Sequence, residues 1–226
     1  MTTAMTAQTA AAPPVGETRT DERQGTGRLV TGPVAIGLAV WAGVAALLAQ
    51  AGLFQIDIGG IPVAIVAAIT IPVVGFLLAW RALSGVRAYV EAQNLALLTA
   101  LQGWRVVGAV FVFLWVYGQL PTIFALPAGL GDVAVGLVAP FAAIAVALKA
   151  PGWRRAANGV VIAGLADFAV AVATGIGSID GNFLNFAGAP SNAIINALPL
   201  VLIPGFLVPV FIILHVMAII KMRSMR

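Results

Sequence analysis

After some thirty polar-rich residues the chain becomes a succession of apolar runs. Residues 29–56 carry no charge, and neither do residues 58–80. Residues 106–131 are uncharged behind Arg105, residues 133–148 follow, and 156–179 are interrupted by Asp167 alone. Residues 181–220 contain no Asp, Glu, Lys or Arg. A helix needs about 20 residues to cross a hydrocarbon layer roughly 30 Å thick. The pattern therefore predicts six spans, near residues 33–53, 60–80, 104–121, 128–148, 157–177 and 194–220. No segment alternates apolar and polar positions as a barrel strand does, so the predicted fold is an all-α polytopic transmembrane bundle.

Residues 1–30 differ. They are rich in Thr, Ala, Gln and Gly, carry Pro13-Pro14 and show no helical or strand period, which predicts a disordered cytoplasmic tail ahead of a transmembrane domain over 31–226. The tail lacks the apolar middle of a cleavable signal peptide, so the chain is expected to be retained whole. Residues 83–103 mix Arg87, Glu91, Gln93 and Asn94 with Val86, Tyr89, Val90, Leu95, Leu98 and Leu101. That mixture predicts one amphipathic helix lying on the inner surface and running on towards the third span.

Charge fixes the expected orientation. With six spans, the tail, residues 81–103, 149–156 and 221–226 fall on one side with the basic residues, and Arg105 is expected at the same border. The opposite segments, 54–59, 122–127 and 178–193, hold Asp57 and Asp180 but no Lys or Arg. By the positive-inside bias both termini are cytoplasmic, in a cell (inner) membrane. Trp80-Arg81, Trp104-Arg105 and Trp153-Arg154 each put an indole beside a guanidinium, so Trp80, Trp104 and Trp153 are expected to anchor inner helix ends. Ten arginines to two lysines, with abundant Ala, Gly and Val, resemble the composition of a GC-rich bacterial genome.

Composition removes whole classes of function. With 61% hydrophobic and 9% charged residues and a mean hydropathy of +1.05, a soluble globular fold is excluded. The absence of cysteine removes thiol chemistry and iron–sulfur clusters, and a single histidine argues against a multi-histidine metal or haem centre. No cofactor is expected. The net charge of +4 is placed as membrane topology requires, so nucleic acid is not an expected partner; the lipid bilayer is.

Chemistry within such a bundle rests on few groups. Asp167 lies some ten residues into the fifth expected span, where a carboxylate costs about 2.5–3.5 kcal/mol on insertion scales. Gly164, Ala163 and Ala171 share its helical face, which points it into the bundle. Asp132 is expected near the outer start of the fourth span, where either the helix dipole or a functional role accounts for an anion. His215, six residues before Lys221, is expected about 9 Å inside the inner face, close enough in depth to Asp167 for a water to bridge them and relay a proton. Together Asp167, Asp132 and His215 are the candidate solute- or ion-binding residues.

Two further features qualify the picture. The strings Ala128-Gly-Leu-Gly-Asp-Val-Ala-Val and Ala163-Gly-Leu-Ala-Asp-Phe-Ala-Val match at six of eight positions, as an inverted repeat would, though coincidence is the simpler account in so Ala- and Gly-rich a chain. Pro199, Pro204-Gly205 and Pro209 predict a bent or broken sixth span near Pro204, with the carbonyls of Ile195, Leu200 and Gly205 deprived of their helical donors. These positions are the candidate gating break. No phosphate loop, paired-histidine zinc motif or nucleophile elbow is present. The reading that emerges is a protein that binds or moves a small solute, ion or proton through the bundle by means of an intramembrane aspartate. The alternative is a non-catalytic membrane subunit, scaffold or sensor acting through a membrane partner or a second copy; an intramembrane enzyme ranks third.

Overall fold

The computed structural model describes residues 31–225. The tail expected over residues 1–30 lies outside the described residues. The structure is all-helical, 77% helix, and among the described residues the nearest approach to a sheet is an isolated bridge between Ile58 and Ile61. Six helices are long and apolar enough to cross a membrane: Gly32–Gln50 (α1), Val63–Ala82 (α2), Leu95–Val116 (α4), Thr122–Ala147 (α5), Trp153–Gly177 (α6) and Ile203–Ser224 (α7). A short helix, Ser84–Glu91 (α3), joins α2 to α4.

Residues 83–103 do not form the single surface helix expected. The chain breaks after α3, and the Asn94 side chain accepts from the backbone N–H groups of Ala96 and Leu97, capping a new helix at Leu95. An amide oxygen there satisfies donors that the first turn otherwise leaves open. The third long helix consequently starts at Leu95 rather than near residue 104, and Trp104 becomes its tenth residue. Trp104 is exposed but stands far from a helix end, so the anchoring role expected of it does not fit. Trp80 and Trp153 do lie at the end of α2 and the start of α6, and the Arg154 guanidinium covers the Trp153 ring at 5.0 Å.

The middle of α4 is wound as a 3₁₀ helix over Leu101–Gly108. With three residues per turn, every third side chain stacks on one face. Thr99, Gln102, Arg105, Gly108 and Phe111 are accordingly all buried. This face meets α5, the central helix, which packs most extensively against α4 and α6. Gly129, Asp132 and Gly136 form the facing stripe of α5, and the helices nearly touch there. A Cβ on Gly136 would lie 2.8 Å from the Val106 backbone nitrogen, and one on Gly108 would lie 2.4 Å from the Cβ of Asp132. Small residues permit this approach where apolar surroundings give helices little other reason to associate.

The sixth long helix begins at Ile203, later than expected. Residues Ala193–Asn196 form a short 3₁₀ turn, Pro199 stands outside the helix, and Ile203–Leu207, with Pro204 and Gly205, make a π-helical turn that leads into the α-helix Val208–Ser224. Pro209 is the second residue of that α-helix, directly after the π turn. The expected freed carbonyl of Leu200 is in fact occupied, accepting from the Ile203 N–H at 2.9 Å. Turn geometry tighter than an α-helix supplies the donor that proline cannot.

The outer ring is thin. Only Ala45 of α1 and no residue of α2 is buried, so both present apolar surface outward. α1 meets the π turn through an edge-on contact of Trp41 with Phe206, rings 5.3 Å apart. At one end of the bundle Lys221 donates to the Glu91 carbonyl and Arg154 to that of Met225, tying α3, α6 and α7 together. At the other end Asn182 donates to the carbonyls of Gly60 (2.8 Å) and Ile176 (2.7 Å).

The α4–α5 contact should tolerate no added side chain. Gly136→Val is expected to lower the thermal unfolding midpoint in detergent by roughly 2–10 °C through overpacking. An unchanged midpoint would mean that the helices do not approach this closely.

Candidate functional site

Four helices each bring one ionisable residue to mid-length. Arg105 is the eleventh of 22 residues in α4, Asp132 the eleventh of 26 in α5, Asp167 the fifteenth of 25 in α6 and His215 the thirteenth of 22 in α7. They converge. Arg105 Nε donates to Asp132 Oδ1 at 2.7 Å, and its Nη2 forms a short hydrogen bond to Asp167 Oδ2. Nη1 donates to the Gly164 carbonyl at 3.1 Å and lies 3.5 Å from His215 Nε2. The Phe168 ring covers the guanidinium carbon, 3.8 Å from its centroid.

Arg105 is fully buried and His215 nearly so. A guanidinium suits this position because its planar fork offers five donors in fixed directions and stacks on an aromatic face; a lysine could do neither. Two of the sequence expectations are corrected here. Arg105 does not sit at the basic border, because α4 starts at Leu95 and carries it inside. Asp132 does not cap a helix N-terminus, because α5 starts at Thr122, ten residues earlier. Asp167 and His215, expected at similar depth with a water between them, both reach Arg105.

Glycines make the room. A Cβ on Gly164 would come within 2.3 Å of His215 Nε2 and 2.6 Å of Arg105 Nη1. A Cβ on Gly131 would fall 1.7 Å from Asp167 Oδ1. Both belong to the two matching strings, whose aspartates reach the same guanidinium from adjacent helices. Gln102, one 3₁₀ turn before Arg105, donates to the Phe211 carbonyl at 3.3 Å, while its buried Oε1 has no hydrogen-bond partner among the described residues.

The charge balance of this centre is uneven. Each carboxylate uses one oxygen to hold Arg105, and among the described residues neither Asp132 Oδ2 nor Asp167 Oδ1 takes part in a hydrogen bond. A neutral His215 ring accepting at Nε2 would add no charge. Ionising both carboxylates against one guanidinium would leave one negative charge in excess, in surroundings where an uncompensated charge is costly.

A cavity of about 100 Å³ reaches the centre from the end where α2 begins and α6 finishes. Asp132 and Phe168 line its inner part, and Pro62, Asn192 and Ile179 lie toward the far end. Asp167 is not among its lining residues. Asn192 is held there by donating to the Gly175 carbonyl at 2.7 Å and to Ser178 Oγ at 3.0 Å. Pro204 lines the same cavity, whereas Gly205, Pro199 and Pro209 do not; Gly205 belongs instead to an apolar cleft of about 550 Å³ between α1 and α2.

The fold and this centre define an α-helical protein with six helices suited to a membrane and a buried arginine–dicarboxylate core. The chain belongs to the family described as a domain of unknown function (DUF8737), which matches residues 62–223. That stretch contains Arg105, Asp132, Asp167 and His215 and begins just ahead of α2, leaving α1 outside it. No curated protein and no solved structure matches the chain.

Removing the arginine should expose the imbalance. Arg105→Met is expected to cost about 3–5 kcal/mol of stability, because two buried carboxylates lose their partner. Adding Asp132→Asn and Asp167→Asn should recover much of that loss in denaturant unfolding of the purified protein. A single variant as stable as the parent would mean that the guanidinium is not engaged.

Proposed function

We propose that this protein is a multi-pass membrane protein that binds or moves a proton or small cation through its helix bundle, using the carboxylates gathered on Arg105. Its six apolar helices lie in the bilayer of a cell (inner) membrane, with both termini in the cytoplasm. The placement of Arg81, Arg87, Lys149, Arg154, Arg155, Lys221 and Arg223 at helix ends or connections supports this orientation. Arg81, Lys221 and Arg223 lie in the last turn of an even-numbered span, and Arg154 and Arg155 in the first turn of an odd-numbered one. Arg87 and Lys149 lie in the connections between such ends, whereas none of the seven lies in the 51–62 or 178–202 connections.

The observation that carries the reading is that one guanidinium holds two carboxylates at mid-bundle, an excess of acidic over basic groups, and that one of the two, Asp132, lines a cavity. An anion would add to that excess, whereas a proton or cation cancels it. Low surrounding polarity sharpens the preference, since Coulomb energies rise as the effective dielectric falls. Intramembrane carboxylates also mark proton and ion paths more often than structural contacts. The π turn at Ile203–Leu207, which packs against α1 and α2 and borders the cavity, is the element proposed to move, because such interruptions concentrate where helices must adjust.

The test is flux. Asp167→Asn, reconstituted in proteoliposomes with a normal folded yield, is expected to abolish proton- or cation-coupled uptake. Flux equal to that of the parent would remove Asp167 as the coupling group.

A further inference from the structure

We propose that the cavity is a binding site for a small organic cation, an alkylammonium of about four to six non-hydrogen atoms, with its charged end at Asp132. This rests on the reading that the buried centre takes up positive charge, and it specifies which positive charge. Size sets the first limit. A cavity of about 100 Å³ is somewhat smaller than the roughly 150 Å³ that admits benzene in an apolar protein interior, so only a small body fits.

Lining chemistry sets the second. Phe111, Phe124, Phe168, Ile195 and Ile203 make the walls almost wholly apolar, and the polar residues among them are Asp132, Asn192 and Asn196. A divalent metal ion such as calcium asks for about six to eight oxygen ligands. One carboxylate and two side-chain amides do not approach that number, and among the described residues no three acidic, histidine or cysteine side chains gather to hold a metal. An alkylammonium has different requirements. Its N–H groups need one or two acceptors, and its hydrocarbon prefers the apolar walls.

Geometry supplies both. Asp132 lines the cavity and hydrogen-bonds Arg105 through Oδ1, while its Oδ2 packs beside Gly108 outside that bond and is the acceptor the proposal gives to the ammonium. Phe111 and Phe124 stand edge to face with their centroids 5.3 Å apart, and aromatic faces attract cations as well as hydrocarbon. The arrangement also discriminates by sign: a carboxylate ligand of the same size would meet Asp132 as a like charge, and a neutral alcohol would leave the excess charge uncancelled.

The experiment titrates the purified full chain in detergent with n-propylammonium chloride by calorimetry, with 1-propanol and sodium propionate as matched neutral and anionic probes. Propylammonium is expected to bind with unit stoichiometry and the two controls at least tenfold more weakly. Asp132→Asn, which removes the charge, and Ala171→Phe, which fills the cavity, should each weaken propylammonium by about tenfold or more. Equal binding of 1-propanol, or unaltered affinity in both variants, overturns the proposal. Absence of propylammonium binding alongside flux that still depends on Asp167 overturns the ligand class alone, whereas flux indifferent to Asp167 overturns the reading on which it rests.

Discussion

A guanidinium at the mid-height of an apolar bundle persists only if carboxylates come to it. Arg105 imposes that condition on every helix around it. Its partners must arrive from α5 and α6 at one level, so those helices are held close enough for Asp132 and Asp167 to share the fork. Its backbone must pass so near α5 that Gly108, Gly129 and Gly136 carry no side chains. The 3₁₀ winding of Leu101–Gly108 keeps Gln102, Arg105 and Gly108 stacked toward that contact, which an α-helix of 3.6 residues per turn would rotate away. Gly164 and Phe168 close the remaining sides, one by a carbonyl and the other by a ring face. Packing and electrostatics are here one arrangement, because the residues that permit close approach are those that admit the charges.

The same arrangement is not self-sufficient. An ion pair buried in balance is neutral and inert, and a structural role would ask for no more. Two carboxylates on one arginine exceed what a single pair needs, and a cavity touches one of them. The sign of that excess underlies the proposed uptake of positive charge, and the apolar walls underlie the proposed choice of an organic cation. Both arguments follow from which atoms remain unbonded rather than from the presence of charge alone.

Much of the architecture was legible before any coordinates. Long uncharged runs show six helices because length and polarity alone decide whether a segment can span a membrane. Asp167 stood out because nothing else charged interrupts residues 156–179. Arg105 did not, since charge alternation and the neighbouring Trp104 made it look like a border residue. The correcting signal was present in Asn94, an N-cap immediately ahead of Leu95 and Leu98; a helix starting there must carry Arg105 inside. Asp132 was misplaced because the fourth span was set to begin near residue 128, whereas the helix begins at Thr122, after Pro121. The 3₁₀ register, the cavity and the meeting of the two similar strings on one guanidinium depend on packing between helices far apart in sequence, which periodicity within one helix does not carry.

The buried centre depends first on Arg105 being held in the interior. The most direct measurement is hydrogen exchange at arginine side chains, followed by NMR of the full chain labelled with nitrogen-15 arginine in lipid nanodiscs. A slowly exchanging Nε–H resonance is expected, one that vanishes in Arg105→Lys and shifts in Asp132→Asn, because Asp132 Oδ1 accepts that hydrogen bond. If every arginine Nε–H exchanged with solvent at the rate of a free side chain, the guanidinium would be at the surface and the buried centre would not exist.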